Sequence, residues 1–382
     1  MKALLPEVVA RAGRMVCFCP PGMPVEGAER RGPVLLAAGF ALSVLSQTLT
    51  LGILPLAGLL LAPRPALATL PYMAMLVGAA IATFPASFLL DAFGRRASFA
   101  LGASHGIAGG LVLAWALSAN AFVPFCLGAF WLGIAQGFGL FYRHEAAMGA
   151  GAMGRAMMLG VVFGSGALAG VAGPAILAFG ASLSPSSIFA PAALAASAVQ
   201  VLVLALAMFW SPAESEPRVS RPEPDAVTYD LREALAPTVL AAAAWFGMTA
   251  LMLAAPSAMV ACGIPTSGVV GALAWHVVAM YAPGFGIAAL TRTLGLRITA
   301  VLGLALVVAA RVILGGTAEA TIFTLGLIVL AVGWSLATAA STLWLQASGT
   351  PPRWVLAMHD ACLLVAALAG ALAAGTMQPG LG

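Results

Sequence analysis

The most informative absence in this sequence of 382 residues is charge. Lysine, arginine, aspartate and glutamate together make up only 8% of the chain, whereas soluble domains carry roughly 25%. Hydrophobic residues make up 62%, a composition that is typical of membrane proteins. The net charge of +4 comes from basic residues that lie between long apolar stretches, so we expect membrane lipid around the chain and no nucleic-acid partner.

The chain also has few cysteines and no recognisable catalytic pattern. Its five cysteines, among them Cys126 and Cys262, are too dispersed for a disulfide scaffold. Paired carboxylates, a nucleophile beside a base and a phosphate-binding glycine loop are all missing from the sequence. We therefore expect neither an enzyme nor a bound cofactor.

Eleven apolar stretches are long enough to cross a bilayer, which needs about 20 residues per helix. The predicted helices are 33–61, 65–90, 97–118, 121–142, 155–181, 187–210, 235–262, 266–290, 298–315, 319–346 and 354–377. Residues 211–234, which are rich in proline and charge, form a linker between the first six and the last five. The sequence predicts an all-α membrane protein with a tail at 1–32, a six-helix bundle at 33–210 and a second bundle at 235–382.

Arginine is distributed unevenly between the two sides of these helices. One side carries Arg95, Arg96, Arg143, Arg155, Arg218, Arg221, Arg232, Arg292, Arg297 and Arg353. The opposite side carries only Arg64 and Arg311. Because cytoplasmic loops are enriched in basic residues, we predict a multi-pass protein with its N-terminus, tail and linker in the cytoplasm.

The two bundles share a short basic turn after their second helix. The first copy reads LLDAFGRRAS and the second ALTRTLGLRIT, so that Gly94 corresponds to Gly295 and Arg96 to Arg297. Two parallel halves joined by a polar linker are typical of rocking transporters, whose binding site lies between the halves. The alternative is a coincidence between two short basic turns.

The turn LLDAFGRR resembles the loop signature of the major facilitator superfamily, which lies between helices two and three. The resemblance implies alternating access between two six-helix bundles, twelve helices where eleven are visible here. It also implies that Asp91, Gly94, Arg95 and Arg96 gate the cytoplasmic side, since charge pairs at helix ends can switch between conformations. The second copy has Arg292 in place of Asp91, which leaves its gating chemistry in doubt.

Two helices of the second bundle carry soft metal donors at a four-residue spacing. Met248 and Met252 share one face of the seventh predicted helix, and His276 and Met280 share one face of the eighth. Met252 and His276 each lie about 15 Å from the outer end of their helix, near the bilayer midplane. Thioethers bind Cu(I) well, and an ionisable ring at this depth marks function. Core packing is the alternative, because methionine commonly fills gaps.

This pattern, with the surrounding AWHVVAMYAPGF and the earlier FYRHEAA, resembles the CcoA-like (CalT) family of bacterial copper importers within the major facilitator superfamily. The resemblance implies that Met248, Met252, His276 and Met280 bind copper, as Cu(I), for import across the bacterial inner membrane. It further implies a supply of copper to haem–copper cytochrome oxidase assembly, with a cytoplasmic copper acceptor or chaperone as partner.

Two alternative functions fit the same residues. In the first, the chain carries an organic solute such as riboflavin, and the four soft side chains line its cavity. In the second, the chain is a membrane sensor that binds copper without moving it. Uptake of copper measured against uptake of a flavin separates the carriers, and copper retained without flux indicates the sensor.

Four more residues are candidates for a second metal or redox site. His144 and Met148 lie at the cytoplasmic end of the fourth helix, where they would pass metal to an acceptor. Cys126 and Cys262 fall near outer helix ends, where they would form a disulfide or a metal entry point. Exposed polar and packing roles at the membrane edge are the alternative for His144 and Met148.

Three further features carry structural expectations. Arg143 and Glu145 are expected to pair with each other or with lipid headgroups. Asp360 lies in apolar sequence, and Arg353 is close enough along the chain for a near-surface pair. The glycine-rich run GVVFGSGALAGVAGP at 160–174 predicts close helix packing.

Overall fold

The computed structural model describes residues 28–148, 151–183, 189–210 and 229–376. Within these ranges all the regular elements are helices, so the predicted all-α class is confirmed. Most of the predicted tail and most of the predicted linker lie outside the described residues.

Helices continue through both halves of the chain with short connections. The first half contains the α-helices Ala28–Leu51, Ile53–Leu61, Leu70–Ser118, Phe122–Gly139, Phe141–Ala147, Ala152–Ser165, Ala167–Leu183 and Phe189–Ala207, and a 3-10 turn at Pro65–Leu67. The second half contains Arg232–Ala261, Thr266–Tyr281, Ile287–Leu294, Leu296–Gly315, Ala320–Leu345 and Arg353–Thr376, and a 3-10 turn at Ala282–Gly286.

Ten helical segments among the described residues are long and apolar enough to cross a membrane. One of them, Pro65–Ser118, has 54 residues, more than twice the roughly 20 that a bilayer needs. Gly94 interrupts it with φ 75° and ψ −176°, so the segment is two crossings joined by a tight turn. We number the crossings spans 1 to 11: Gly32–Leu61, 70–93, 95–118, Phe122–Ala147, Ala152–Gly180, Phe189–Ala207, Arg232–Ala261, Ser267–Leu294, Leu296–Gly315, Ala320–Leu345 and Arg353–Ala374.

Span 4 ends later than the sequence predicts. Its helical course continues past the predicted end at residue 142 to Ala147, and Arg143, His144 and Glu145 are all buried. The reason is tertiary: Arg143 and Glu145 have oppositely charged partners elsewhere in the fold, and His144 has a hydrogen-bond partner in Asp360, which offsets the cost of removing these side chains from water. The expected loop residues are therefore part of the bundle.

The internal repeat is visible in the backbone. Gly94, between spans 2 and 3, has φ 75° and ψ −176°, and Gly295, between spans 8 and 9, has φ 83° and ψ 160°. A positive φ in this region is accessible to glycine without a steric penalty, so the same residue type closes both turns. The predicted correspondence of the two glycines is confirmed.

The halves approach each other closely where span 5 meets span 8. A β-carbon added at Gly160 would lie 2.7 Å from the carbonyl oxygen of Gly284, and one at Gly170 would lie 2.7 Å from the side chain of Val278. The glycine run therefore gives the close packing that its sequence predicts. Span 11 packs against the helix of spans 2 and 3 on the other side of the interface.

The arginines divide the bundle into two faces. We call the end that carries Arg95, Arg232, Arg297 and Arg353 the basic face. The end that carries Arg64 and Arg311 is the opposite face. Because the spans alternate in direction, turns on the basic face follow spans 2, 4, 6, 8 and 10.

Candidate functional site

A cavity of about 820 Å³ lies between the two halves. Spans 1, 2, 4 and 5 line it from the first half, and spans 7, 8, 10 and 11 line it from the second. Its lining is mostly apolar with a few polar groups, as in small-molecule sites. The cavity therefore has the place and lining of a transport site between parallel halves.

Five aromatic side chains from five different spans form one cluster in this cavity. We call Phe40, Phe163, Trp245, Tyr281 and Trp334 the aromatic cluster, and all five line the cavity. Ring centroids lie 5.3 Å apart for Phe163 and Tyr281, 5.4 Å for Trp245 and Trp334, and 5.8 Å for Phe163 and Trp334. Such separations are typical of offset and edge-to-face aromatic contacts. The cluster joins rings of both halves around a space that suits a flat apolar solute.

The predicted metal ligands divide into two places. Met248, Met252 and Met280 line the cavity beside the aromatic cluster. His276 is fully buried and is not among the described residues that line the cavity. Its Nδ1–H donates to the carbonyl oxygen of Leu327 on span 10, at 2.7 Å.

The geometry of His276 fixes its tautomer. A neutral ring that donates from Nδ1 keeps a lone pair on Nε2, and that atom has no hydrogen-bond partner among the described residues. The structure thus brings three of the four predicted donors to one cavity and turns the fourth toward span 10. The copper site stays a prediction.

Charged residues join the two halves at the basic face. Arg353, on span 11, lies 2.7 Å from Asp91 and 2.7 Å from Glu145, both of the first half. Glu145 also accepts a hydrogen bond of 2.5 Å from Arg95. Asp91 and Arg95 therefore belong to one network with a partner across the interface, as a gating role requires. That role stays a prediction.

The other two gating candidates, Arg96 and Gly94, do not join this network. Arg96 is directed to its own half, where its guanidinium lies 3.7 Å from the sulfur of Met208. Gly94 supplies the left-handed backbone of the turn and no side chain. Arg353, which the sequence pattern does not mark as a gating residue, is the cation that bridges the halves within this network of Asp91, Arg95 and Glu145.

A second, deeper set of polar groups crosses the interface. Asp360 of span 11 is fully buried, accepts a hydrogen bond from Arg143 and accepts another from His144 Nε2 at 3.0 Å. His359 is also buried and shares a hydrogen bond of 2.8 Å with the hydroxyl of Thr238. The expected Arg143–Glu145 and Arg353–Asp360 pairs are wrong, because Arg143 pairs with Asp360, and Arg353 with Glu145, across the two halves.

Arg143 connects this polar set to the cavity. Its side chain lines the cavity and also lies over the ring of Trp245, with 5.9 Å from the guanidinium carbon to the ring centroid. Arg143 therefore lines the end of the cavity nearest the basic face, and Asp360 contacts it from outside the lining. Burial makes the pair dependent on both partners, because either charge alone would be costly in this setting.

The candidates for a second metal site lie in different settings. His144 contacts Asp360 across the interface, and Met148 is half-buried at the end of span 4. Cys126 and Cys262 are free thiols, the first half-buried and the second exposed, so the expected disulfide between them is wrong. Any metal-entry or redox role for the two thiols stays a prediction.

Comparisons with known proteins give one relative by sequence and several by structure. No family model matches the chain. The riboflavin transporter RfnT of Brucella anthropi is 31% identical over 334 residues, which cover 85% of this chain and 82% of that protein.

Solved transporter structures share the fold over nearly the whole chain. The human organic anion transporter MFSD10 (TETRAN) has a TM-score of 0.67 and 17% identity, covering 91% of this chain and 92% of its own. The major facilitator superfamily proton:xylose symporter XylE has a TM-score of 0.67 and 13% identity, covering 91% of this chain and 87% of its own. At these identities the likeness establishes architecture alone.

Proposed function

This chain belongs to the transporter family of the Brucella anthropi riboflavin transporter RfnT, within the major facilitator superfamily, and from that membership we propose that it carries riboflavin or a closely similar flavin. It is a multi-pass membrane transporter and not an enzyme. Of the two carriers that the sequence allows, the organic-solute carrier has the support of the sequence relative, and the copper importer does not.

The aromatic cluster is the observation within this chain that supports a flavin cargo. A flavin carries a planar fused-ring system, and stacking of such a ring on an aromatic side chain contributes roughly 1–3 kcal/mol per contact. Phe163, Tyr281 and Trp334 lie around the same part of the cavity with ring centroids within 5.8 Å of one another. A flat solute can therefore stack its apolar ring faces on these three side chains.

Alternating access follows from the arrangement of the interface. Arg353 pairs with Asp91 and Glu145, and Arg143 pairs with Asp360, so the halves are joined on the basic-face side of the cavity. We expect these pairs to break when the halves rock, which opens the cavity to the basic face. Cargo that enters from the opposite face then leaves at the basic face.

The direction of transport depends on which face is cytoplasmic. Arginine is concentrated at the basic face, and cytoplasmic ends of membrane helices carry the excess of basic residues. We propose that the basic face lies in the cytoplasm of a bacterial cell, with the N-terminus on the same side. In that orientation the transporter imports its cargo.

Copper import is the second candidate. The three thioethers of Met248, Met252 and Met280 line one cavity, and such sulfur donors suit Cu(I). The unpartnered lone pair on His276 Nε2 would complete the set only if the ring turned away from Leu327. Cytochrome oxidase assembly and a copper acceptor belong to this candidate alone.

Uptake into proteoliposomes distinguishes the two cargoes. We expect purified protein to accumulate labelled riboflavin above protein-free vesicles and to give no copper uptake above that baseline. The variant with Met248, Met252 and Met280 all replaced by leucine keeps the cavity volume and removes the sulfur, so its riboflavin uptake should stay within about twofold of wild type.

The opposite pattern would reject a flavin cargo. Copper uptake that the triple leucine variant loses, together with no riboflavin uptake by the wild type, would assign the cavity to the metal. Copper that stays bound to the protein without entering the vesicles would indicate the sensor.

A further inference from the structure

A second, smaller cavity adjoins the central one within the first half. Its volume is about 280 Å³, and its polar lining comes from spans 1, 4 and 6: Ser43, Ser46, Gln47, Thr50, Gln136 and Gln200. We call it the amide pocket, after its three glutamines. Ser43, Gln47 and Gln136 line both cavities, so the amide pocket is a side branch of the central cavity.

The amide pocket lies deep in the membrane. At 1.5 Å per helical residue, Gln136 lies about 21 Å along span 4 from its first residue, Phe122. Gln200 lies about 17 Å along span 6 from its first residue, Phe189. Both positions are well inside a hydrocarbon core of about 30 Å. Polar side chains at this depth are costly and mark binding sites or pathways.

One buried atom of the pocket has no hydrogen-bond partner among the described residues. The side-chain oxygen Oε1 of Gln136 is buried and accepts no hydrogen bond from the described residues. A buried acceptor without a donor costs free energy, which a ligand hydroxyl would recover. Gln136 is also the residue through which span 4 contributes to both cavities, so the free acceptor lies at their junction.

The hydroxyl groups of the pocket are oriented by the backbone. Ser46 donates to the carbonyl oxygen of Ala196 at 3.2 Å, and Thr50 donates to the carbonyl oxygen of Gln47 at 3.0 Å. Because each hydroxyl proton is already donated to the backbone, the two oxygens can only accept a hydrogen bond from a ligand. Each glutamine amide can both donate and accept. The lining thus presents both donors and acceptors at close spacing, which is the complement of a chain of hydroxyl groups.

We propose that the amide pocket binds the hydroxylated chain of the cargo, the ribityl chain of riboflavin, while the aromatic cluster holds the fused rings. This inference rests on the proposed flavin cargo and names the part of the site that selects it. The amide pocket is smaller than the central cavity and its lining is richer in hydroxyl and amide groups, so it suits a hydroxylated chain rather than a ring system. Its lining residues carry no charge, so a phosphate on the end of the chain would be disfavoured there.

Two flavins separate chain recognition from ring recognition. Lumiflavin has the rings of riboflavin and a methyl group in place of the ribityl chain. We expect Gln136→Leu to weaken riboflavin binding to the purified full-length protein about tenfold, measured by quenching of flavin fluorescence, and to change lumiflavin binding less than twofold. Gln200→Leu is expected to act in the same direction.

The control is another buried glutamine that lines neither cavity. Gln346, at the end of span 10, has an unpartnered side-chain nitrogen, and Gln346→Leu should leave the ratio of riboflavin to lumiflavin affinity unchanged. Equal weakening of both flavins by Gln136→Leu and Gln200→Leu, or no weakening of either, would overturn chain binding in the amide pocket while leaving a flavin cargo intact. A wild-type protein that binds neither flavin would overturn the flavin cargo itself and this inference with it.

Discussion

The Asp360→Asn variant is expected to lose flavin uptake into proteoliposomes and to melt at a lower temperature than the wild type. Asparagine keeps the shape of the side chain but removes the charge that Arg143 and His144 contact across the interface. Removing one member of a buried ion pair costs roughly 3–5 kcal/mol, because the remaining charge stays in a low dielectric. If only one of the two transport conformations loses this free energy, the ratio of their populations changes by a factor of hundreds or more.

A double variant tests whether the pair, and not Asp360 alone, is responsible. Replacing both residues in Arg143→Leu/Asp360→Leu leaves no unpaired charge, so its melting temperature should recover toward the wild-type value while uptake stays low. Glu319→Gln, at an exposed carboxylate on the opposite face, serves as the control and should transport normally. Normal uptake and stability in Asp360→Asn would show that the pair is not needed for transport.

The Trp334→Ala variant is expected to weaken riboflavin binding by about 10-fold to 100-fold. Trp334 contacts three other members of the aromatic cluster, with centroid distances of 5.8 Å to Phe163, 5.8 Å to Tyr281 and 5.4 Å to Trp245. Its removal deletes a stacking surface worth roughly 1–3 kcal/mol and leaves its neighbours without support. The affinity can be measured by quenching of flavin fluorescence with purified protein.

The control for this prediction is a tryptophan on the outside of the bundle. Trp275, on span 8, is 61% exposed, and Trp275→Ala should bind riboflavin within about twofold of wild type. The conservative Trp334→Phe should keep most of the affinity. If Trp334→Ala bound riboflavin as tightly as Trp275→Ala did, the aromatic cluster would not be the binding surface.

Much of the architecture follows from the sequence because a bilayer constrains it so strongly. Apolar length and the distribution of arginine predict eleven crossings, and the paired glycines at 94 and 295 predict the repeat that the backbone shows. The end of span 4 is predicted incorrectly, because charged residues ordinarily signal a loop. Here Arg143, His144 and Glu145 remain helical because they form ion pairs and hydrogen bonds with residues on other spans inside the bundle.

The composition of the site is harder to predict, because its members come from distant parts of the chain. Arg143 and Asp360 are 217 residues apart, and the aromatic cluster draws one ring from each of five spans. A lone acid in apolar sequence was the signal for Asp360, but its partner had no local signal. Spacing places the methionines in pairs on helix faces, but only the fold shows that Met248, Met252 and Met280 line one cavity and that His276 turns to a carbonyl group of span 10.

The assignment of cargo shows the limit of short motifs in a large superfamily. The H-x-x-x-M-Y-x-P block resembles copper importers, yet agreement with a riboflavin transporter extends over 334 residues. A few spaced residues on one helix recur easily in a chain with 16 methionines. Aromatic residues scattered over the sequence carry the feature that fits a flavin, and they form a pattern only when the fold brings them together.

A structure of the purified transporter with bound riboflavin tests the central claim most directly. Density for the fused rings is expected against Phe163, Tyr281 and Trp334, between the two halves of the protein. A cavity that stays empty at saturating riboflavin, with copper instead bound among Met248, Met252 and Met280, would contradict the flavin assignment.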